Sequence, residues 1–413
     1  MKKGFLSDSF TGVGIKMLTA VDADSLSSNQ HEVTGSDALK TILGEEPRKQ
    51  KSSKGRIPTT YIWLSGDQES IIEEGLTSWY DSRENQKSRT PEWRLYYQSN
   101  AATDAMSPGD ILFIALRPDG RLFFIVTPPE STSFNQLNWM FGAGETPIKE
   151  FLTKEFSGNE DHKIGFAGLL ILDELGIETE EPEADQIDGL LEKFGTSFPS
   201  TLEFSLLARQ SLPDVSARDD PDAAILAWME REELLFRRLE HLSVADRIRD
   251  GFTTGKSVDV DGFLGFSLSI QNRRKSRAGY ALGNHVEAIL QANAIPFKRE
   301  ATTEKRKGPD FLFPGESEYR DEKFDPLLLT MLAAKTSCKD RWRQVLTEAN
   351  RIPNKHLLTL EPGISEGQTS EMQRENLQLV IPSGLHGTYR PPQQSWLMNM
   401  ADFLDLLRKR QGN

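Results

Sequence analysis

"LLLTMLAAKTSCKDRWRQVLTEA", Leu327 to Ala349, is an uncharged apolar run that ends on a lysine and passes at once into a segment charged with both signs. The run reads as a strand closing on Lys335, and "KDRWRQVLTEANRI" (Lys339–Ile352) reads as the helix that follows. Such a junction is either a solvated strand end or an active-site strand feeding a recognition helix. The surrounding sequence has to decide between them.

Around this stretch the pattern alternates. "PDFLFP" (Pro309–Pro314), "HLLTLEP" (His356–Pro362) and "LQLVIPS" (Leu377–Ser383) read as further strands. Helical spacing marks "STLEFSLLARQ" (Ser200–Gln210), the long segment Asp219–Phe252, "GYALGNHVEAILQANA" (Gly279–Ala294) and "WLMNMADFLDLLRKRQ" (Trp396–Gln411). Helices around a central mixed sheet make residues 196–413 an α/β domain. The first part of the chain differs. "TTYIWLSG" (Thr59–Gly66) and "WRLYYQS" (Trp93–Ser99) have strand character, and "DILFIALRPDGRLFFIVTPP" (Asp110–Pro129) is a hairpin, two apolar runs about "RPDG". "QESIIEEGLTSWY" (Gln68–Tyr80) and the segment around Lys40 read as helices between strands. Residues 1–175 are therefore expected to form a mostly β domain, a small barrel being the natural form. The acidic, proline-containing "DELGIETEEPEADQID" (Asp173–Asp188) sets a linker at 176–195.

With 413 residues, two domains are expected. No run of eighteen apolar residues occurs, so no membrane span is expected, and the first residues lack the pattern of a signal peptide. Cys338 is the one cysteine, which excludes a disulfide within the chain and fits a cytoplasmic home. The six histidines are scattered without ligand-like pairing, which argues against zinc. The formal net charge of -13 opposes nucleic acid only on average. From Gln271 to Gly308 nine Lys/Arg face three Glu, a local basic surface that permits DNA binding.

Phosphodiester hydrolysis needs acidic oxygens for Mg²⁺ and a cation near the attacked phosphate. Asp310 opens one strand, Lys335 closes the next, and Glu348 lies in the following helix. Singly, each has an ordinary reading: a turn acid, a strand-end charge, a solvated helical acid. Together, if the strands pair, they make an acid–lysine–acid set. On an unbroken helix Arg341 and Glu348, seven residues apart, would fall within about 20° of one face. Arg donates bidentately to guanine and Asp accepts from the cytosine amine, so "KDR" has the chemistry to read G·C pairs, although Asp340 equally suits a helix N-terminus.

At these residues the chain resembles the EcoRII restriction endonuclease family, within the PD-(D/E)XK nuclease superfamily. The shared stretches are "NRRKSRAG" (Asn272–Gly279), "PDFLFP", "AAKTSCKDRWRQ" (Ala333–Gln344) and "VIPSGLHGTY" (Val380–Tyr389). The resemblance covers roughly Thr201 to Leu407. It implies a restriction-endonuclease-like fold, Mg²⁺ as cofactor, Asp310 as metal ligand and Lys335 as catalytic lysine. Glu348 becomes the helix-borne acid and a second metal ligand, because the superfamily's usual acid two residues before the lysine is Ala333 here. Tyr319 and the helical Glu287 fall on active-site or supporting positions, Glu287 as a further metal ligand. Lys339, Asp340 and Arg341 would read a CC/GG target, with Arg273, Arg274, Lys275 and Arg277 as further DNA-facing cations. Positions that carry a base-flipping arginine and aromatic in relatives are Met229 and Glu233, with Trp228 and Arg231 nearby at a different spacing.

The N-terminal part looks like the effector-binding domain of the same enzymes, a pseudobarrel similar to plant B3-type DNA-binding domains. "NQHEVTG" (Asn29–Gly35), "WYDSR" (Trp79–Arg83), "KSR" (Lys87–Arg89) and "PEWR" (Pro91–Arg94) carry that likeness. It implies that His31, Glu32, Arg83, Lys87, Arg89, Glu92 and Arg94 bind effector DNA. The expected protein is a homodimeric type II endonuclease, controlled by a second copy of its double-stranded DNA target. A modification-dependent nuclease and a DNA-binding regulator on an inactive nuclease fold are the alternatives.

Overall fold

The "RPDG" hairpin forms as its pattern requires. The computed structural model describes residues 4–412 apart from 24–30, 45–54, 67–68, 87, 145–149, 158–163, 178–183, 255–256, 305–307 and 339–340. The eight-stranded sheet holding the hairpin contains β1 (Gly12–Met17), β2 (Glu32–Thr34), β3 (Gly55–Trp63), β4 (Ile71–Asp81), β5 (Trp93–Tyr96), β6 (Ile111–Leu116), β7 (Leu122–Thr127) and β8 (Leu152–Glu155). Its order is β2-β5-β4-β3-β7-β6-β1-β8. β6 and β7 pair antiparallel with Leu116 opposite Leu122, and Gly120 turns the chain at φ 85. Every residue of both strands is buried. Alternation explains how: Phe113, Ala115, Phe123 and Ile125 enter one apolar cluster, while Leu112, Ile114, Leu122, Phe124 and Val126 enter another on the opposite face. β3 and β7 pair in parallel. β2 and β8 end the order, so the described sheet is open.

Two expectations change here. Gln68–Tyr80, expected to be helical, supplies β4, which pairs with β3 over nine residues from Trp63–Ile71 to Gly55–Trp79. The loose helical spacing of its apolar residues loses to β-branched and aromatic content, and to a partner strand ready to accept it. Trp79 then stacks on Trp93 of β5 at 4.9 Å. The stretch expected as a linker, 176–195, also changes: Ala184–Leu191 is a helix, α1, with Ile187 and Leu191 buried against Phe204, Leu207, Leu235 and Leu239. The chain accordingly divides into two units at 180/181, the first also taking in 362–367 and 388–390.

The second unit is built on α2 (Thr201–Gln210), α3 (Pro221–Asp250) and α4 (Val260–Ala292). Their starts follow capping chemistry. Ser200 Oγ accepts from Glu203 N (3.3 Å), Asp220 Oδ1 from Ala223 N (2.9 Å) with Pro221 at the first helical position, and Asp259 Oδ1 from Gly262 N (2.9 Å). The basic run 271–279 is therefore helical, part of α4. Past a two-residue ribbon, β9 (Thr253–Thr254) with β10 (Ser257–Val258), lies the five-stranded sheet of β11 (Lys298–Arg299), β12 (Phe311–Phe313), β13 (Thr330–Lys335), β14 (Lys355–Thr359) and β15 (Leu377–Val380), in that order. β11, β12 and β13 run antiparallel; β13, β14 and β15 run parallel. This is the expected α/β domain with a mixed sheet.

The helix after Lys335 is much shorter than expected. α5 spans only Trp342–Val345. The amides of Thr347 and Glu348 bond three residues back, to Gln344 and Val345, and Ala349 takes φ 47. Those tightened bonds and the left-handed residue end the helix, so Glu348 lies beyond it and shares no helix face with Arg341.

Candidate active site

Strand register assembles the site. Phe311 of β12 opposes Leu332 of β13, which sets Asp310, just before β12, beside the end of β13. Asp310 Oδ2 accepts from Ala334 N (2.7 Å) and from Lys335 Nζ (2.9 Å). Their side chains are 37% and 27% exposed, so the pair is open to a ligand while its geometry is held by backbone. Both line a cleft of about 300 Å³ whose other charged members are Arg299, Glu300 and Arg341. Among the described residues, three cations and two acids thus meet at one sheet end. The fold brings Asp310 and Lys335 together as the sequence pattern implies, and Arg341 joins them.

The other expected members are not among the residues that line the cleft. Glu348 does not line this cleft, and its charge acts instead on Lys355, whose burial lowers the ammonium's pKa while Glu348 and Glu304 raise it. His356 opposes Leu332, so Lys355 lies about 13 Å along the strands from the level of Lys335, at roughly 3.3 Å per residue. Tyr319 belongs to the same second cluster. Its hydroxyl donates to Glu304 at 2.7 Å, and burial, then Glu304, push the phenol up to about 12. Glu287, on α4, accepts from Arg299. Among the described residues no three acids, histidines or cysteines converge as a metal cage.

The basic run of α4 divides. Arg277 is 5% exposed, ion-paired to Glu233 and lying 4.1 Å over the Phe236 ring; burial and its acidic partner remove it from the expected DNA-facing cations. Arg274 pairs with the buried Glu240 at 2.6 Å, whereas Arg273 is exposed over Phe198. The side chain of Lys275, with Lys339 and Asp340, lies outside the described residues. Met229 is buried, and Glu233 is held by Arg237 and Arg277, so neither position faces a ligand. Sequence reasoning misses Arg299 and Glu300, which count there only as members of a charge run. Their position just before the Asp310 strand is the available signal.

In the first unit a second cluster forms. The β4–β5 register sets Tyr80 opposite Arg94, and β2 brings Thr34 opposite Arg94 on its other side. Arg83 pairs with Glu92 at 2.8 Å, and Arg94 with Glu92 at 3.0 Å and Glu32 at 3.3 Å. Burial raises the Glu92 carboxyl, but Arg94 and Arg83 outweigh it and hold the group below the usual carboxylate range. Glu32, Arg83, Glu92 and Arg94 are thereby gathered. His31 packs edge-on to Tyr97 at 5.5 Å, Arg89 is exposed, and Lys87 lies outside the described residues.

A mixed-sheet α/β domain with an acid–lysine pair at its strand ends is the observed class, and residues 236–404 match the family described as EcoRII C terminal. Through that segment the chain resembles the EcoRII-type restriction endonucleases. It is 42% identical over 186 residues to the type II restriction enzyme EcoRII of Escherichia coli, covering 45% of each chain. It is 28% identical over 166 residues to the type II restriction enzyme SsoII of Shigella sonnei, covering 38% of this chain and 51% of that one. The chain thus spans about half the length of the curated relatives it matches. Among solved structures, a restriction endonuclease PspGI–substrate DNA complex aligns with a TM-score of 0.44 and 14% identity, over 52% of this chain and 94% of that one. Metal-depleted Ecl18kI in complex with uncleaved DNA aligns at 0.39 and 20%, over 55% and 84%.

Proposed function

We propose that this protein is a type II restriction endonuclease, hydrolysing double-stranded DNA at a CC/GG-containing site with Mg²⁺ as cofactor. The observation that carries the reading is the single oxygen, Asp310 Oδ2, held by Ala334 N and Lys335 Nζ at the mouth of a basic cleft. The all-oxygen acids there suit a hard cation. Asp310 would hold it, with water completing the shell, as Mg²⁺ commonly retains several waters. When bound, such an ion polarises a phosphoryl oxygen and acidifies a bound water. Lys335 has the charge to stabilise the phosphate as negative charge builds in an in-line attack, and its bond to Asp310 fixes where that charge sits. Arg341, exposed at the start of α5, is the described member of "KDR", and it would donate to guanine edges as the cleft engages the duplex.

The reading extends to two further features. Val260, Phe263, Leu264 and Leu268, all on the first turns of α4, are each about half exposed or more, an apolar stripe suited to a homodimer. The first unit would be a B3-like pseudobarrel that binds a second copy of the target through Arg83, Arg89 and Arg94 and thereby controls cleavage. The test of the whole reading is digestion of plasmids of known sequence with and without Mg²⁺, followed by mapping of the ends. Discrete Mg²⁺-dependent cuts at CC/GG-containing sites support it. DNA left intact in unmethylated plasmid but cut after methylation would favour the modification-dependent alternative.

A further inference from the structure

Arg299 is the least expected member of the cleft. It leaves the short edge strand β11 and crosses to α4, where Nη1 donates to Asn284 Oδ1 at 3.0 Å and to the carboxylate of Glu287. Asn284 is itself 5% exposed and anchored through Nδ2 to Ser205 Oγ at 3.0 Å. A Cβ at Gly283 would come within 3.0 Å of Arg299 Nη2, so the missing side chain makes room for the guanidinium. Gly283 also lines the cleft, as do Asp310 and Lys335. Both bonds to the helix leave from Nη1, while Nη2 lies over the cleft-lining glycine.

A planar guanidinium presents five donors in a fixed fork, which suits phosphate oxygens, and a carboxylate behind it fixes the fork's direction. We propose that Arg299 contacts a DNA phosphate in the cleft, oriented by Glu287 and Asn284, and that Glu287 serves the reaction as a positioning residue through Arg299 and not as a metal ligand. The inference rests on the nuclease reading above.

The experiment uses the full chain and a duplex that the wild type cuts. Binding is measured without divalent metal across a salt series, and single-turnover cleavage across a Mg²⁺ series. Arg299→Ala is expected to weaken binding and to reduce the slope of log K against log salt by about 0.9, the value for one phosphate no longer neutralised. Glu287→Gln is expected to slow cleavage with its Mg²⁺ midpoint unchanged within about twofold. The double variant should be no slower than Arg299→Ala alone, because both act through one group. Gly283→Ala, which crowds Nη2 without altering charge, should slow cleavage in the same direction, and it covers the case in which Arg299→Ala fails to fold. An unchanged salt slope in Arg299→Ala, or a raised Mg²⁺ midpoint in Glu287→Gln with additive losses in the double variant, overturns the inference. If the wild type cuts no duplex with Mg²⁺, it is the nuclease reading that fails.

Discussion

At the scale of the residue, the site turns on which charges face water and which are used in packing. Arg341 is exposed and lines the cleft, whereas Arg277 is buried against Phe236 between acids. Nothing in "NRRKSRAG" separates a reading arginine from a packing one, because that depends on which side of α4 faces Glu233. Arg341→Ala is expected to cost about 1–3 kcal/mol for each guanine that the arginine reads, and to weaken target DNA more than random DNA. Equal weakening on both, in gel shifts at one salt concentration, would make Arg341 a phosphate clamp only. A second residue-scale prediction concerns acid. His356 is 3% exposed and packs on Phe403, and burial, then Arg410, lowers its pKa to about 3 from a usual 6.5. Below pH 6.5 the unfolded chain takes up a proton that the folded chain refuses, so stability falls as pH falls, by about 1.4 kcal/mol per pH unit down to about pH 3. His356→Leu should flatten part of the decline of Tm between pH 7 and pH 5; an unchanged decline would contradict the assignment.

At the scale of the element, strands are more legible in this sequence than helices. The β6–β7 hairpin, and the β12 and β13 strands that unite Asp310 with Lys335, follow from apolar runs with clear ends. Their pairing needs only short-range logic. β4 escapes such logic because the apolar residues of Ile71–Tyr80 also fit a loose helical spacing, and it is the pairing with β3 that decides for the strand. The helix after Lys335 escapes it for a related reason: Trp342 and Val345 start a helical turn, but the bonds of Thr347 and Glu348 tighten it and Ala349 reverses it. The consequence is functional. With α5 only one turn long, Glu348 does not line the cleft of Asp310 and Lys335, and its charge, with that of Glu304, acts on Lys355. Glu348→Gln is therefore expected to lower Tm while leaving the Mg²⁺ midpoint of cleavage within about twofold. A Mg²⁺ midpoint raised tenfold at unchanged Tm would return Glu348 to the metal site.

At the scale of the whole molecule, the chain divides at 180/181, and α1 belongs to the core of the second unit through Ile187 and Leu191. The acidic stretch is legible as a boundary, but Ile187, with Leu190 and Leu191 just past its end, carries a helix that charge counting hides. A fragment 181–413 keeps that core and the Asp310–Lys335 cleft. If the first unit regulates cleavage by binding a second target copy, the full chain should cut a two-site plasmid faster than a one-site plasmid, and the fragment should cut both at one rate. Equal rates for the full chain on both plasmids would reduce the first unit to a targeting module.

The central claim is that Asp310 and Lys335 perform the chemistry while binding rests mainly on other groups. It is tested most directly by measuring nicking in Mg²⁺ and gel-shift affinity in Ca²⁺ for Asp310→Ala and Lys335→Ala side by side with the wild type. The account predicts that both variants lose cleavage while holding target DNA within about tenfold of wild-type affinity, since most contacts that fix a protein on DNA are made elsewhere. Robust Mg²⁺-dependent cleavage by either variant would contradict it.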